Sequence, residues 1–296
     1  MSGCGDRLRG TVFFILIVMV SAASANECKT YSSGLAFMGQ SEGAWQLYRS
    51  SDGELPEQVD TNVEPRGFAY HSGKDAFVYI GIDGSAYYRE GASEEIIDMP
   101  TNDSAYTQPE FGPSGETVYF VEMKNRNSKE TDVVSWDLKD EVLEKVVAQR
   151  SAQFEPHVTQ GTLVYSNVHC VEACGRIIQE IWKKDTISGV ARQLTLMGGI
   201  SKQPVLSSGG EKLYFSSNRG GGYSVWVYEM ETGNKRKLTE GSGVDLYPAE
   251  GKNGSVLFIR RQANQVELMC KAPGKAPQAM PLPDSVTDLR ELKVSG

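Results

Sequence analysis

Six short apolar runs punctuate the chain at near-regular intervals: residues 35–38 (LAFM), 77–80 (FVYI), 118–121 (VYFV), 163–165 (LVY), 213–215 (LYF) and 256–259 (VLFI). Their starts lie 42, 41, 45, 50 and 43 residues apart. A half-buried strand alternates apolar and polar positions, so unbroken runs of this length predict strands covered on both faces. The polar residues between them fall into a repeated order. A proline precedes every run but the first, at Pro65, Pro109, Pro156, Pro204 and Pro248, and a turn, glycine-bearing in most copies, separates it from the run. After the run comes a segment rich in tryptophan or tyrosine (45–48, 133–136, 181–182, 225–228), then a polar turn and a short stretch such as 236–239 (RKLT). This order predicts four strands per unit. Each proline is expected at the first position of the innermost strand, where no ladder donor is required.

Two units are copies of one another. Residues 181–205 recur in 225–249 at a spacing of 44: Trp182 and Trp226, Gly189 and Gly233, Leu194-Thr195 and Leu238-Thr239, Gly199 and Gly243, Pro204 and Pro248. A period in the forties with several short strands per unit is the signature of a β-propeller blade. Six runs therefore predict an all-β, six-bladed propeller of four-stranded antiparallel blades. Unit one lacks an innermost strand with its proline, while 289–294 (LRELKV) is left over at the other end. That C-terminal segment is expected to complete blade one and close the ring, and its trailing Ser295-Gly296 echoes Ser72-Gly73.

The most regular blades carry a recognisable wording. Ser216-Ser217-Asn218-Arg219-Gly220-Gly221, Val225-Trp226-Val227-Tyr228, Thr232-Gly233, Lys237-Leu238-Thr239 and Tyr247-Pro248 resemble the WD40-like repeat of TolB-type propellers. The match is strong in blades four and five and weaker in blades two, three and six. The resemblance implies a six-bladed ring, a periplasmic or cell-envelope location, and a role in binding other proteins. TolB carries a further N-terminal α/β domain, so the resemblance reaches the propeller and not that domain.

The first 25 residues read as a secretory signal peptide. Arg7 and Arg9 form a charged start, 11–20 (TVFFILIVMV) is apolar, and Ala23-Ser24-Ala25 offers a cleavage site before Asn26. Ten apolar residues are too few for a spanning helix, which needs roughly 20. Residues 26–296 then form the propeller. Cys28, Cys170, Cys174 and Cys270 remain after export, and an even number in an oxidising compartment suggests two bridges with three possible connectivities. The expected pairs are Cys170–Cys174, close in sequence, and Cys28–Cys270, at the two chain ends that a ring brings together. The formal charge of −8 becomes −9 once Asp6, Arg7 and Arg9 leave with the leader. Nucleic-acid binding calls for a basic stripe, and the longest basic stretch is only 124–129 (KNRNSK).

Catalytic and metal-binding sets are weakly represented. His71, His157 and His169 are the only histidines and fall in three different blades. His157 alone is expected near the channel. His169, Cys170 and Cys174 could supply three zinc ligands, but a local disulfide is preferred in an exported chain and no fourth ligand is evident. No cofactor is expected. The expected function is a noncatalytic interaction module, monomeric and periplasmic (extracellular in the absence of an outer membrane), binding a protein partner of the cell envelope. Two surfaces are singled out for that partner. One is formed by extended neighbouring loops of blades three and four, with Lys124, Arg126, Lys129, His169 and Glu172. The other is a channel mouth built from the residues three before each proline: Asn62, Tyr106, Gln153, Ser201 and Asp245. The alternatives are a lactonase-like or carbohydrate-active propeller enzyme using Glu110, Glu155 and Asp245, or a solute or glycan sensor.

Overall fold

The computed structural model describes residues 28–31, 33–100, 103–127, 129–170 and 175–295, with the side chains of His169 and Cys170 excepted. The signal peptide, Glu172 and the Cys170–Cys174 pairing lie outside the described residues. Blade one begins with β1 (Leu35–Ser41), β2 (Ala44–Arg49) and β3 (Glu57–Val59), and blade two holds β4 (Pro65–His71), β5 (Ala76–Gly81), β6 (Ala86–Glu90) and β7 (Ser93–Ile97). Blade three holds β8 (Ala105–Phe111), β9 (Thr117–Met123), β10 (Thr131–Asp137) and β11 (Leu143–Val147). Blade four holds β12 (Gln153–Thr159), β13 (Thr162–Cys170), β14 (Ile178–Asp185) and β15 (Ala191–Gln193). Blade five holds β16 (Ser201–Leu206), β17 (Lys212–Ser217), β18 (Ser224–Glu229) and β19 (Lys235–Lys237). Blade six holds β20 (Val244–Glu250), β21 (Val256–Gln262), β22 (Gln265–Lys271) and β23 (Gln278–Ala279). The last strand, β24 (Asp288–Val294), pairs with β1 and becomes the innermost strand of blade one.

The ring is thus an all-β assembly of six four-stranded antiparallel sheets. Each innermost strand touches the next around the circle, including β20 with β24 and β24 with β4. The apolar runs form the second strand of every blade. Phe37, Phe77, Phe120, Tyr165, Phe215 and Phe258 are all less than 2% exposed. Burying one such side chain contributes roughly 1.5–3 kcal/mol, and the side chains do so between blades. Tyr214, Val225 and Val227 of blade five, for instance, pack on Val256, Phe258 and Met269 of blade six.

Two devices hold the termini. Leu35 pairs with Val294 and Gln40 with Asp288 across the β1–β24 ladder. The Cys28–Cys270 disulfide ties the segment before β1 to β22, with a Cα separation of 5.5 Å. Around it Tyr31, Leu35, Leu257, Leu289 and Leu292 share one core, and the Tyr31 hydroxyl donates to the Pro281 carbonyl. Among the described residues, no helix is long and apolar enough to cross a membrane.

The position of the prolines differs from expectation. Only Pro65 opens its strand. Pro109, Pro156, Pro204 and Pro248 lie inside β8, β12, β16 and β20, where the pairing register jumps from Thr107 to Glu110, Phe154 to His157, Lys202 to Val205 and Leu246 to Ala249. These are bulges, and the ladder bond a proline cannot supply is already missing there.

Candidate functional site

The bulges build the central channel. The residue before each bulged proline takes a left-handed backbone: Gln108 (φ 50), Glu155 (φ 55), Gln203 (φ 56) and Tyr247 (φ 53), with Glu291 (φ 52) at the matching place in β24. The left-handed turn breaks the alternation of the strand and delivers these side chains to the cavity at the ring centre. Blade two has Gly67 at this place, where an added Cβ would lie 3.3 Å from Glu291 Oε1.

Four of these side chains join neighbouring blades. The backbone N–H of Glu155 donates to Gln108 Oε1 at 2.8 Å, that of Gln203 to Glu155 Oε2 at 2.8 Å, and that of Tyr247 to Gln203 Oε1 at 2.9 Å. The Phe68 N–H donates to Glu291 Oε2 at 3.1 Å, spanning blades one and two. The bonds from Glu155, Gln203 and Tyr247 satisfy donors that the bulges removed from their own ladders.

Two residues beyond the bulge lies a charged set. Glu110 accepts from Lys293 Nζ at 2.6 Å through one oxygen and bonds His157 Nδ1 at 2.8 Å through the other. Burial would raise the Glu110 carboxyl, but Lys293 and His157 outweigh it and bring it down to about 2. Burial also opposes the charge on Lys293, yet Glu110, Glu291 and Glu155 together hold its pKa above the usual lysine value. Glu155 and Glu291 are pushed upward, chiefly by burial. The cavity measures about 90 Å³. Among the described residues, no three His, Cys, Asp or Glu side chains converge to hold a metal ion.

The five residues three before each proline occupy a different setting. Gln153, Ser201 and Asp245 are buried and bond directly across the blade, to Asn167 at 3.1 Å, to Ser217 at 3.2 Å and to Arg260 at 2.7 and 2.8 Å. The Tyr106 hydroxyl donates to the Pro100 carbonyl at 2.6 Å, and the Asn62 N–H donates to Glu94 at 3.1 Å. None of the five lines the cavity. Gln153, Ser201 and Asp245 precede the bulge and bond the neighbouring strand of their own blade, while Asn62 is exposed. Of the carboxylates named from sequence, Glu155 lines the channel, Glu110 bonds the lining residues Lys293 and His157, and Asp245 belongs to its arginine pair.

The loops named from sequence are the β9–β10 and β13–β14 connections, the same hairpin position in adjacent blades. Lys124 is drawn back onto the buried Asp132 at 2.6 Å, which also meets Lys145 at 3.5 Å, while Arg126 and Lys129 are exposed. His169 lies near the end of β13. Gln108, Gln203, Glu291 and Lys293 escaped the sequence reading. The X-Pro pair in four successive units was the available signal for the first two.

Neither a family model nor a curated protein matches the sequence. Among solved structures, TolB from Acinetobacter baumannii superposes with a TM-score of 0.73 at 18% identity, over 90% of this chain and 68% of that one. A putative TolB from Agrobacterium tumefaciens gives 0.64 at 13% identity, over 90% of this chain and 100% of that one. The fold is that of a TolB-like six-bladed propeller. An oligogalacturonate lyase in complex with manganese also matches, with a TM-score of 0.58 at 13% identity over 82% of this chain and 72% of that one. At these identities the likeness is one of fold, and one fold hosts many functions.

Proposed function

We propose that the protein is an exported, noncatalytic interaction module that binds a protein partner of the cell envelope through the loop-bearing face of its ring. The observation that carries this reading is the use of the channel acids. Glu155 and Glu291 accept from backbone N–H groups of adjacent blades, and Glu110 is held by Lys293 and His157. Side chains committed to one another stiffen a ring and leave little for chemistry. The cavity of about 90 Å³ is small beside the roughly 300–1,000 Å³ of small-molecule sites. Residues 1–25 act as a signal peptide in this reading, the propeller begins at Asn26, and the Cys28–Cys270 bridge suits an oxidising compartment. The test is affinity capture by the tagged mature protein from its own envelope extract, with mass spectrometry of the bound species. A stoichiometric partner lost on trimming the β9–β10 and β13–β14 connections supports the proposal, and a partner retained after trimming moves the contact elsewhere.

A second reading rests on the Glu110–His157 pair. A carboxylate 2.8 Å from Nδ1 orients an imidazole whose ring lines the cavity, which is the arrangement of an acid–base residue. The lyase neighbour prompts the assay: incubation with oligogalacturonate and Mn²⁺, followed by the absorbance of an unsaturated product. Turnover abolished by H157A would replace the scaffold reading with an enzymatic one.

A further inference from the structure

A groove of about 830 Å³ opens between blades four and five, distinct from the channel. Ile177 and Leu196, 50% and 76% exposed, give it apolar walls, and Arg176 and Arg219 add two exposed guanidinium groups. Among the described residues no carboxylate lines it, although the chain as a whole carries a formal charge of −8. The Arg219 guanidinium donates to the Leu196 carbonyl at 3.3 Å, its backbone N–H donates to Ser217 Oγ at 3.3 Å, and neither arginine forms an ion pair among the described residues. On an acidic molecule, two arginines without a carboxylate partner among the described residues form a local landing point for a carboxylate, which a guanidinium can bind through two parallel bonds.

The groove is also held in shape from beneath. The buried Glu180 carboxylate accepts from the N–H groups of Met197 and Gly198 at 2.7 and 2.8 Å and from the Thr195 hydroxyl at 2.6 Å. Asn218 Oδ1 accepts from Ile200 N–H at 2.8 Å, and Gln179 N–H donates to the Gly199 carbonyl at 2.9 Å. Added Cβ atoms at Gly198 and Gly220 would meet nothing within 4 Å, so these glycines leave the space open. A pre-shaped groove lowers the ordering cost of binding.

We propose that this groove docks an acidic, apolar peptide segment of a protein partner, placing a carboxylate against Arg176 and Arg219 and an aliphatic or aromatic side chain against Ile177 and Leu196. The proposal rests on the interaction-module reading and names the chemistry of its partner. Apolar walls in a concave site favour a peptide over an anionic glycan, which would gain little from Leu196.

A displayed random dodecapeptide library panned on the immobilised full mature protein tests it. Enriched sequences are expected to combine Asp or Glu with Leu, Ile, Phe or Met. A synthetic copy of the leading peptide is expected to bind about tenfold or more weakly to R176E/R219E and to L196D, and unchanged to E95Q, on the exposed edge strand of blade two. L196D alters one exposed side chain, so it keeps the test decisive if the double variant folds poorly. Enriched peptides without the acidic–apolar signature, binding indifferent to both groove variants, or stronger competition by polygalacturonate than by peptide would each overturn the proposal. An envelope partner retained by R176E/R219E would overturn the groove while leaving the interaction module standing. Peptides that bind in a groove-dependent way without any envelope partner would support the groove while counting against that module.

Discussion

Three carboxylates share the channel with one ammonium, and their protonation separates according to who holds that ammonium. Glu110 has it, and its carboxyl is lowered toward about 2, so its contribution to stability is present above the ordinary value of 4.5 and is lost as pH falls through the folded value. Glu155 has its own hydrogen bonds but is raised by burial. A raised carboxyl contributes stability below 4.5 and loses it as pH rises through the folded value, so the native state carries an ionisation cost at neutral pH. The substitution E155Q is therefore expected to raise the melting temperature relative to wild type by an amount that grows as pH rises above 4.5, by scanning fluorimetry. A difference that stays flat across that range would refute the assignment. E110Q is expected to do the opposite, with a cost at pH 7 that shrinks between pH 5 and pH 3. K293M leaves Glu110 enclosed without its cation and is expected to cost on the order of 3 kcal/mol in urea unfolding, with K293M/E110Q recovering most of the loss.

At the level of elements, the closing strand and the disulfide do different work. β24 supplies both the ladder to β1 and the channel residues Glu291 and Lys293, so it is structural and site-forming at once. Deleting residues 288–296 is expected to abolish cooperative thermal unfolding, read by circular dichroism, because blade one loses its innermost strand and Leu35 and Phe37 lose Leu289 and Leu292. The Cys28–Cys270 bridge closes a loop across a sequence separation of 242 residues, in addition to the β1–β24 ladder that closes the ring. C28S/C270S is expected to lower unfolding free energy by about 2–4 kcal/mol while keeping a single transition. A double variant that melts in two steps would show that the bridge, and not β24, joins blades one and six.

At the level of the whole molecule, the interior of the ring and its exposed loop face differ in how their polar groups are used. Polar groups inside the channel bind one another, while the connections of blades three to five project exposed arginines and aliphatic side chains on an acidic background. Partner binding at the blade four–five groove is expected to weaken as salt rises from 50 to 500 mM, since its charge contribution is solvent-exposed and screened. Titration calorimetry with a selected peptide checks this, and salt-independent binding would point to the apolar walls alone. Mass spectrometry of the exported chain is expected to find Asn26 at its start.

Blade number and strand order were legible in the sequence because burial on both faces is a local property: a strand between two blades must be apolar at every position, as in 118–121 and 256–259. The leftover C-terminal strand and the Cys28–Cys270 pair followed from closure of a ring. The channel was not legible to the same degree. Counting three residues back from each proline assumes an unbroken strand, and the left-handed residue at each bulge shifts the channel-facing set to Gln108, Glu155, Gln203, Tyr247 and Glu291. Lys293 meets Glu110 across 183 residues, and Arg176, Leu196 and Arg219 meet at a junction of two blades. The sequence by itself determined the repeat, because each strand's burial is written in its own residues. Only the tertiary structure decided which side chains share the channel and the groove, because those neighbours are set by ring geometry and by bulges that reverse a strand's facing.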